Sequence, residues 1–311
     1  MLIDVRVRRI IALTILATSA MIALGFVQIS PASASLNATK VRAIEIPGIA
    51  ALNTGSSSPS VFSVSCASAG NCGADGQYAV GTNQYEAFVV NEVGGTWGRA
   101  VEIPGIAALN TGRDAVAFSV SCASAGNCSA GGEYSVGTNQ NEAFVVNEVG
   151  GTWGRAIEIP GIAALNTGKD ANVDSVSCAS AGNCSAGGEY AIRKSGQEAF
   201  VVNEVGGKWG RAIEVPGTAA LNRGEFASVD SVSCASAGNC SAGGNESNKT
   251  GFLARAFVVN EVGGKWGRAI EIPGIATLAA GGSTVMSSVS CVSSVRCIFV
   301  GDYGVNLFAT Q

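Results

Sequence analysis

Short runs of alternating apolar and small polar residues recur along the chain after residue 40. In each unit the runs FSVSC, CSAGGEY, EAFVVNEV and TWGRAIEI follow one another in similar form, a pattern typical of β-strands. An Ala-Gly-Asn connection separates the first two runs, and a Gly-Gly pair separates the last two. The Gly-Gly pair indicates a hairpin, because glycine supplies the positive φ of a two-residue turn without strain. The pattern predicts an all-β chain made of four-stranded units.

The last run predicts a sheet with two unlike faces. Alternate side chains of a strand point to opposite faces, so one face should be bulky and the other nearly flat. The bulky set is Trp97, Arg99, Val101 and Ile103, and the flat set is Gly98, Ala100 and Glu102. Such a sheet can stack on a copy of itself, and a unit of this size needs neighbouring units to complete a core.

The units form a repeat with a period of 56 or 57 residues. The segment around WGRAIEIPGIAALNTG recurs at Trp97, Trp153, Trp209 and Trp266, and a copy without tryptophan begins at Val41. Five units account for residues 35–311, so the sequence predicts one repeat domain and no second domain.

Radial stacking of these units predicts a β-propeller of five four-stranded blades. The chain begins with a lone fourth strand near residues 41–46 and ends after three strands. We expect the N-terminal strand to complete the last blade, because closing the ring leaves no open sheet edge.

Ten cysteines occur as five short pairs, which predict five local disulfides, each joining the first hairpin of a unit. The predicted disulfides join Cys66 to Cys72, Cys122 to Cys128, Cys178 to Cys184, Cys234 to Cys240, and Cys291 to Cys297. Zinc binding is the alternative. However, a single pair per unit without histidine lacks a four-ligand set, so we predict no metal at the cysteines.

Residues 1–34 have the pattern of a signal peptide. Arg6, Arg8 and Arg9 precede an apolar run over residues 10–27, and Ala32-Ser33-Ala34 supplies small residues for cleavage. An uncleaved N-terminal anchor is the alternative, since 18 apolar residues reach the lower limit for a spanning helix. Cleavage predicts a secreted, extracellular or cell-surface protein that has no membrane segment after processing.

The amino-acid composition excludes several classes of function. The chain has 311 residues and no histidine, which excludes Ser-His-Asp triads and histidine zinc sites. Removal of residues 1–34 leaves 16 basic and 22 acidic side chains, a net charge of −6. No basic block is present, so nucleic acid is not an expected partner. We expect a monomer.

The repeat SVSCASAGNC followed by EAFVVNEVGGTWGRAIEIPG resembles the paired-cysteine repeats of secreted, propeller-like bacterial proteins of actinobacterial type. The resemblance covers the whole chain after residue 34. It implies a secreted, disulfide-stapled β-propeller, and it brings no catalytic residues with it. The fifth cysteine segment, CVSSVRC, departs from the pattern.

Candidate binding residues are sought where the repeats differ. Four residues before the first cysteine, units one and two carry Phe62 and Phe118, whereas units three and four carry aspartate. The predicted ligand-binding residues are Asp114, Asp170, Asp174 and Asp230. Carboxylates on adjacent blades could bind Ca²⁺ or a sugar hydroxyl, and a spaced pair is what glycoside hydrolysis requires. The alternative is that they are solvated loop aspartates that cap turns. No cofactor is otherwise implied.

Three functions follow from these features. The first is a non-enzymatic, multivalent module that binds carbohydrate or cell-wall glycan, in which linked weak sites gain avidity. The second is a surface scaffold that recognises another protein. The third is a glycan hydrolase or lyase that uses the loop carboxylates. The four tryptophans could be sugar platforms, but a position just after the Gly-Gly turn favours packing between blades.

Overall fold

The structure, a computed structural model, describes residues 42–193, 196–222, 226–247, 254–280, 282–294, 296–304 and 306–310. The predicted signal segment lies outside the described residues. The chain divides into Met1–Ile44 and Glu45–Gln311, and all five blades belong to the second unit. No helix in the described ranges is long and apolar enough to cross a membrane.

Each blade is an antiparallel sheet, and the prediction of an all-β fold built of propeller-type blades is confirmed. Blade 1 contains β1 (Ser60–Ser68), β2 (Asn71–Gly81), β3 (Gln84–Val93), β4 (Thr96–Trp97) and β5 (Val101–Glu102). Blade 2 contains β6 (Ala115–Ser124), β7 (Asn127–Ser135), β8 (Asn141–Val149), β9 (Thr152–Trp153) and β10 (Ile157–Glu158). Blade 3 contains β11 (Ala171–Ser180), β12 (Asn183–Ala191), β13 (Gln197–Val205), β14 (Lys208–Trp209) and β15 (Ile213–Glu214). Blade 4 contains β16 (Ala227–Ser236), β17 (Asn239–Ser247), β18 (Ala254–Val262), β19 (Lys265–Trp266) and β20 (Ile270–Glu271). Blade 5 contains β21 (Thr284–Ser293), β22 (Arg296–Tyr303) and β23 (Asn306–Ala309).

The PGIAALNTG connections form one-turn helices rather than loose loops. They are α1 (Ile49–Leu52), α2 (Ile106–Leu109), α3 (Ile162–Leu165), α4 (Thr218–Leu221) and α5 (Ile275–Leu278). The first residue of each helix is buried, and a glycine with positive φ precedes each one. Glycine suits this position because other residues rarely adopt a positive φ.

All five predicted disulfides are present, and each joins directly opposed residues of the first two strands of its blade. In chain order they join Cys66 to Cys72, Cys122 to Cys128, Cys178 to Cys184, Cys234 to Cys240, and Cys291 to Cys297. Each bridge closes a short hairpin, which by the chain-entropy model is worth about 2 kcal/mol. No free cysteine is found among the described residues.

The later disulfides also contact the preceding blade through the second cysteine of the pair. Ser185 Oγ of blade 3 lies 3.3 Å from Cys240 Sγ of blade 4, and Ser241 Oγ of blade 4 lies 3.1 Å from Cys297 Sγ of blade 5. The bridges therefore lie in the junctions between blades, where a neighbouring blade covers them.

Neighbouring blades stack through one flat and one bulky face. We call the face that packs on the next blade along the chain the forward face, and the face that packs on the preceding blade the rear face. Gly131 lies on the forward face of blade 2, where an added Cβ would lie only 2.8 Å from Val173 Cγ1 of blade 3. Glycine is needed there because the rear-face valine of the next blade occupies the space.

The serines of the SVSC motif join the innermost strands of neighbouring blades. The backbone N–H of Val120 donates to Ser63 Oγ at 3.1 Å, and that of Cys122 donates to Ser65 Oγ at 3.0 Å. The same two bonds recur at each following junction, up to Val289 and Cys291 of blade 5. Each alternate serine therefore binds the backbone of the next blade.

Tryptophan, asparagine and glutamate form a second link between blades. Trp209 Nε1 donates to Asn147 Oδ1 of the preceding blade at 2.9 Å, and Asn147 Nδ2 donates to Glu204. Ser129 Oγ also donates to Asn147 Oδ1, at 3.0 Å. Equivalent links hold Trp153 and Trp266, so the predicted packing between blades is confirmed for these three tryptophans.

The prediction that side chains alternate between two faces along the whole fourth strand is wrong for the middle of that strand. The strand is broken at residues 98–100, because the N–H of Ala100 leaves the sheet and donates to Pro47 O of the preceding connection, at 2.8 Å. Ala100 is therefore buried, whereas Val101 is 43% exposed. Ala156, Ala212 and Ala269 make the same bond to Pro104, Pro160 and Pro216.

The N-terminal strand does not complete the last blade among the described residues. Residues 45 and 46 lie in no strand, and the sheet of blade 5 has three strands. Compared with the other four units, this segment lacks the Gly-Gly hairpin and tryptophan that hold the fourth strand in place.

The described residues also show no packing between β1 and the last blade like that between neighbouring innermost strands. The forward face of blade 5 explains this. Ile298, Val300 and Leu307 occupy the positions that are serine, glycine and alanine in blade 4. In blades 2, 3 and 4 the residue equivalent to Val300 is glycine, and a Cβ added to it would lie within 2.8 Å of a side chain of the next blade. A valine at this position therefore leaves no room for the rear face of blade 1. Leu307 is 82% exposed.

The link between blades 2 and 3 can be tested by replacing Asn147 with alanine. The change leaves the indole N–H of Trp209 and the carboxylate of Glu204 without their partner, so we expect the free energy of unfolding to fall by about 2–3 kcal/mol. Urea denaturation measures the loss.

The matched control is Asn127→Ala, because the side-chain hydrogen bonds of Asn127 are exposed and stay within blade 2. This control should cost less than about 1 kcal/mol. Equal losses in the two variants would contradict a structural link through Asn147.

Candidate functional site

The innermost strand of each blade carries a β-bulge at the position where the repeats differ most. In β1 the ladder shifts between Val61 and Ser63, which leaves Phe62 as the extra residue. The same shift recurs in the other blades. The bulge residues are Phe62, Phe118, Asp174, Asp230 and Ser287, and we call them the inner column. Bulges commonly re-aim a side chain next to a functional site.

Neighbouring members of the inner column are close together. The rings of Phe62 and Phe118 meet edge to face, with centroids 5.8 Å apart. Phe62 is 47% exposed. Because the blades repeat, the same spacing brings Asp174 beside Phe118 on one side and Asp230 on the other. The column is therefore aromatic on blades 1 and 2 and acidic on blades 3 and 4.

Asp174 is the most perturbed member of the column. Burial raises its pKa to about 8, with further contributions from the charges of Glu189, Asp230 and Glu133. Asn172 Nδ2 donates to Asp174 Oδ1 at 2.5 Å and opposes the shift. A carboxyl group with this pKa is largely protonated at neutral pH.

Asp230 lies in a comparable environment. Burial raises its pKa, and hydrogen bonds from Ser228 and Asn245 oppose the rise. The Ser228 hydroxyl donates at 2.6 Å, and the Asn245 amide also donates to the carboxylate. Asn245 holds the next blade as well, because its Oδ1 accepts the N–H of Met286 at 2.8 Å.

Two glutamates of the second strands belong to the same acidic group. The pKa of Glu133 and that of Glu189 are raised to about 7, mainly by burial and also by the charges of neighbouring aspartates. Neither is among the residues predicted from the sequence. The sequence feature that could have found them is variation between repeats. The equivalent position of the second strand is Gln77 in blade 1, Asn245 in blade 4 and Asp302 in blade 5.

The structure divides the four predicted aspartates into two pairs. Asp174 and Asp230 lie together in the inner column and are partly buried. Asp114 and Asp170 lie just before the innermost strands of their blades and are exposed. The charges of both contribute to the raised pKa of Glu133, and that of Asp170 also to the raised pKa of Glu189. Asp170 accepts a hydrogen bond from Asn141 at 3.1 Å. Within the described ranges, no three Asp, Glu, Cys or His side chains are close enough to hold a metal ion.

The tryptophans are not open sugar platforms. Trp153 and Trp209 are each 8% exposed, and their N–H groups are bonded to the preceding blade. The arginine two residues further on packs over a glycine of the preceding connection, as Arg155 does over Gly105.

Three equivalent grooves lie between the outer strands of successive blades, and we call them the outer grooves. Their volumes are about 350, 560 and 460 Å³ in chain order. Each is lined by an asparagine, an arginine and a half-exposed aliphatic side chain of one blade and by the tryptophan of the next. Thr152 lines the first groove, whereas Lys208 and Lys265 line the second and third.

The raised pKa of Asp174 predicts a pH-dependent stability. The folded state holds this proton more tightly than the unfolded state, in which the pKa is near 4, so the contribution to stability is lost as pH rises from about 4 through about 8. The variant Asp174→Asn should therefore gain on the order of 2 kcal/mol relative to the wild type between pH 5 and pH 8. Urea denaturation at several pH values measures this difference. A difference that does not change with pH would contradict it.

No protein-family model and no curated protein matches this chain. Two solved structures are similar in part. One is an ulvan lyase described as a new family of polysaccharide lyase, with 10% identity, a TM-score of 0.45, and coverage of 81% of this chain and 63% of that one. The other is an ulvan lyase bound to -[GlcA(1-4)Rha3S]-, with 10% identity, a TM-score of 0.44 and the same coverage. The chain spans less than two thirds of the length of these structures, and a TM-score below 0.5 establishes no shared activity.

Proposed function

We propose that the protein is a glycan-binding module and that the inner column is its binding site. The observation that carries the proposal is the continuity of an aromatic pair, exposed Phe62 and half-buried Phe118, with a partly buried carboxyl pair, Asp174 and Asp230, along one line of neighbouring bulges. Apolar ring faces and convergent polar groups are the combination that orients a small ligand at a binding site.

The carboxyl groups suit sugar hydroxyls. With pKa values of about 7 to 8, Asp174, Glu133 and Glu189 exchange between acid and carboxylate near neutral pH, so each can donate as well as accept a hydrogen bond. The described residues supply no cation close enough to pair with them. A sugar hydroxyl can satisfy both forms, and the phenylalanine rings can pack against the apolar face of the sugar.

Export of the protein is part of this proposal. Five disulfides are typical of an oxidising compartment, where a glycan or a cell-surface partner would be met. The resemblance to the secreted paired-cysteine repeat proteins supports the same location.

The outer grooves favour a second candidate, a multivalent module with several equivalent sites. Their exposed basic side chains are Arg99 in the first groove, Arg155 with Lys208 in the second, and Arg211 with Lys265 in the third. An acidic ligand would bind these grooves, and linked sites would add avidity.

The inner column is tested with a panel of neutral and acidic polysaccharides, using the oxidised chain and isothermal titration calorimetry on any ligand found. We expect one site per chain. Phe118→Ala and Asp174→Asn should each weaken binding by about tenfold or more, because each removes a direct contact worth at least about 1.4 kcal/mol. The same incubation, followed for released products, measures any cleavage by the carboxyl groups.

The control variants are Val262→Ala and Glu92→Gln, which lie near the Gly-Gly turns, away from the bulges and outside the lining of the outer grooves. They should bind like the wild type. Unchanged affinity in Phe118→Ala and Asp174→Asn would overturn the inner-column site.

The outer grooves predict a different result for the same panel. Three sites per chain would be measured, only acidic polysaccharides would bind, and the double variant Arg155→Ala with Lys208→Thr would remove one site of the three. Binding that is unaffected by this variant would exclude the second candidate.

A further inference from the structure

The junction between blades 1 and 2 differs from the others at one pair of facing residues. At the three later junctions a forward-face glycine meets a large rear-face side chain. An added Cβ on Gly131, Gly187 or Gly243 would lie 2.8, 2.5 or 2.8 Å from a side-chain carbon of the next blade. The facing residues there are Val173, Val229 and Met286.

Blade 1 carries Asp75 at the glycine position, and blade 2 carries Ala117 at the position of the large residue. The two exceptions occur at the same junction. The small Ala117 leaves space that the larger side chain of Asp75 fills. An aspartate cannot fit against a valine at this distance, whereas it can fit against an alanine. Asp75 and Ala117 are both fully buried.

The Asp75 carboxyl group has no side-chain partner, and the one polar group that acts on it is the backbone N–H of Ser63. Neither of its oxygens makes a hydrogen bond of normal geometry. It pairs across the sheet with Ser63 of β1 and Val89 of β3. The equivalence of the blades brings Ala117 and Val120 of β6 against it from blade 2. A buried carboxylate without a hydrogen bond or a counter-charge is strongly unfavourable, so the group is stable there only when protonated.

We propose that Asp75 makes the junction between blades 1 and 2 a pH-sensitive joint, which is tight while the carboxyl group is protonated and opens when it ionises. The joint is independent of the proposed glycan site, because it uses a buried residue on the forward face of blade 1 rather than a bulge residue.

The direction of the effect follows from the burial. Burial raises the pKa of Asp75 to about 8 against the opposing effect of the backbone N–H of Ser63. No charged side chain of β1, β3 or β6 contributes to the shift. The open junction exposes Asp75 to water, where its pKa is near 4, so the closed state is favoured at low pH. Between about pH 5 and pH 8 opening becomes more favourable by up to about tenfold per pH unit.

The disulfide of blade 2 reports on this junction. Cys122 and Cys128 face blade 1, where a Cβ added to Gly73 would lie 2.9 Å from Cys122 Sγ. The equivalent disulfide of blade 3, Cys178–Cys184, is covered by blade 2, with Ser129 Oγ 3.3 Å from Cys184 Sγ. The ratio of their reduction rates in one molecule therefore measures opening of the first junction, and the reductant's own pH dependence cancels.

The experiment reduces the full chain briefly with a water-soluble phosphine at pH 5 and pH 8, alkylates the thiols and quantifies them by mass spectrometry. We expect the rate of Cys122–Cys128 relative to Cys178–Cys184 to rise at least tenfold between the two pH values. Asp75→Asn should abolish the rise. The double variant Asp75→Gly with Ala117→Val, which restores the pair used elsewhere, should abolish it too.

A transplant provides the matched control. Gly131→Asp with Val173→Ala places the same pair at the junction of blades 2 and 3, so the pH-dependent reactivity should then appear at Cys178–Cys184. A ratio that is constant with pH in the wild type, or a rise that persists in Asp75→Asn, would overturn the proposal. If the double variant fails to fold, the Asp75→Asn result alone decides.

Discussion

Steric fit between a flat and a bulky face is the constraint on which this protein depends. At the three junctions between blades 2 and 5 the next blade approaches so closely that a single Cβ on the forward-face glycine would collide with it. Each blade alone has too little apolar surface to be stable, so this contact supplies the core. The forward-face glycine therefore recurs in blades 2, 3 and 4, whereas the residue at the bulge varies from blade to blade.

The same stacking buries polar groups, which must then be paired. Ser63 and Ser65 accept backbone N–H groups of the next blade, and Asn147 binds both Trp209 and Glu204. These bonds explain why serine, asparagine, glutamate and tryptophan recur in every complete unit. They also explain why the tryptophans, although aromatic and repeated, cannot serve as open platforms for sugars. Residues used in every blade hold the scaffold, and recognition is left to the positions where blades differ.

Positions at which one blade differs from the others have identifiable physical effects. Asp174, Glu133 and Glu189 are acidic groups placed where neighbouring blades cover them. Burial raises their pKa values towards neutrality, and the charges of nearby carboxylates add to the rise. Large residues on the forward face of blade 5 leave that face without a matching partner in the described part of the chain. Asp75 and Ala117 change together, since the volume added on one side of the junction is removed on the other.

The sequence by itself determined the period, the four strand runs of each unit, the five disulfides and the positions of the glycine turns, because these depend on residues close together in the chain. It also located Asp174 and Asp230 through the contrast with Phe62 and Phe118. The tertiary structure alone decided the rest. The break in the fourth strand requires Pro47 of another unit, the acidic role of Glu133 and Glu189 requires neighbouring blades, and the open last blade results from side-chain volumes at a face. Each depends on distances between units, which a one-dimensional pattern does not contain.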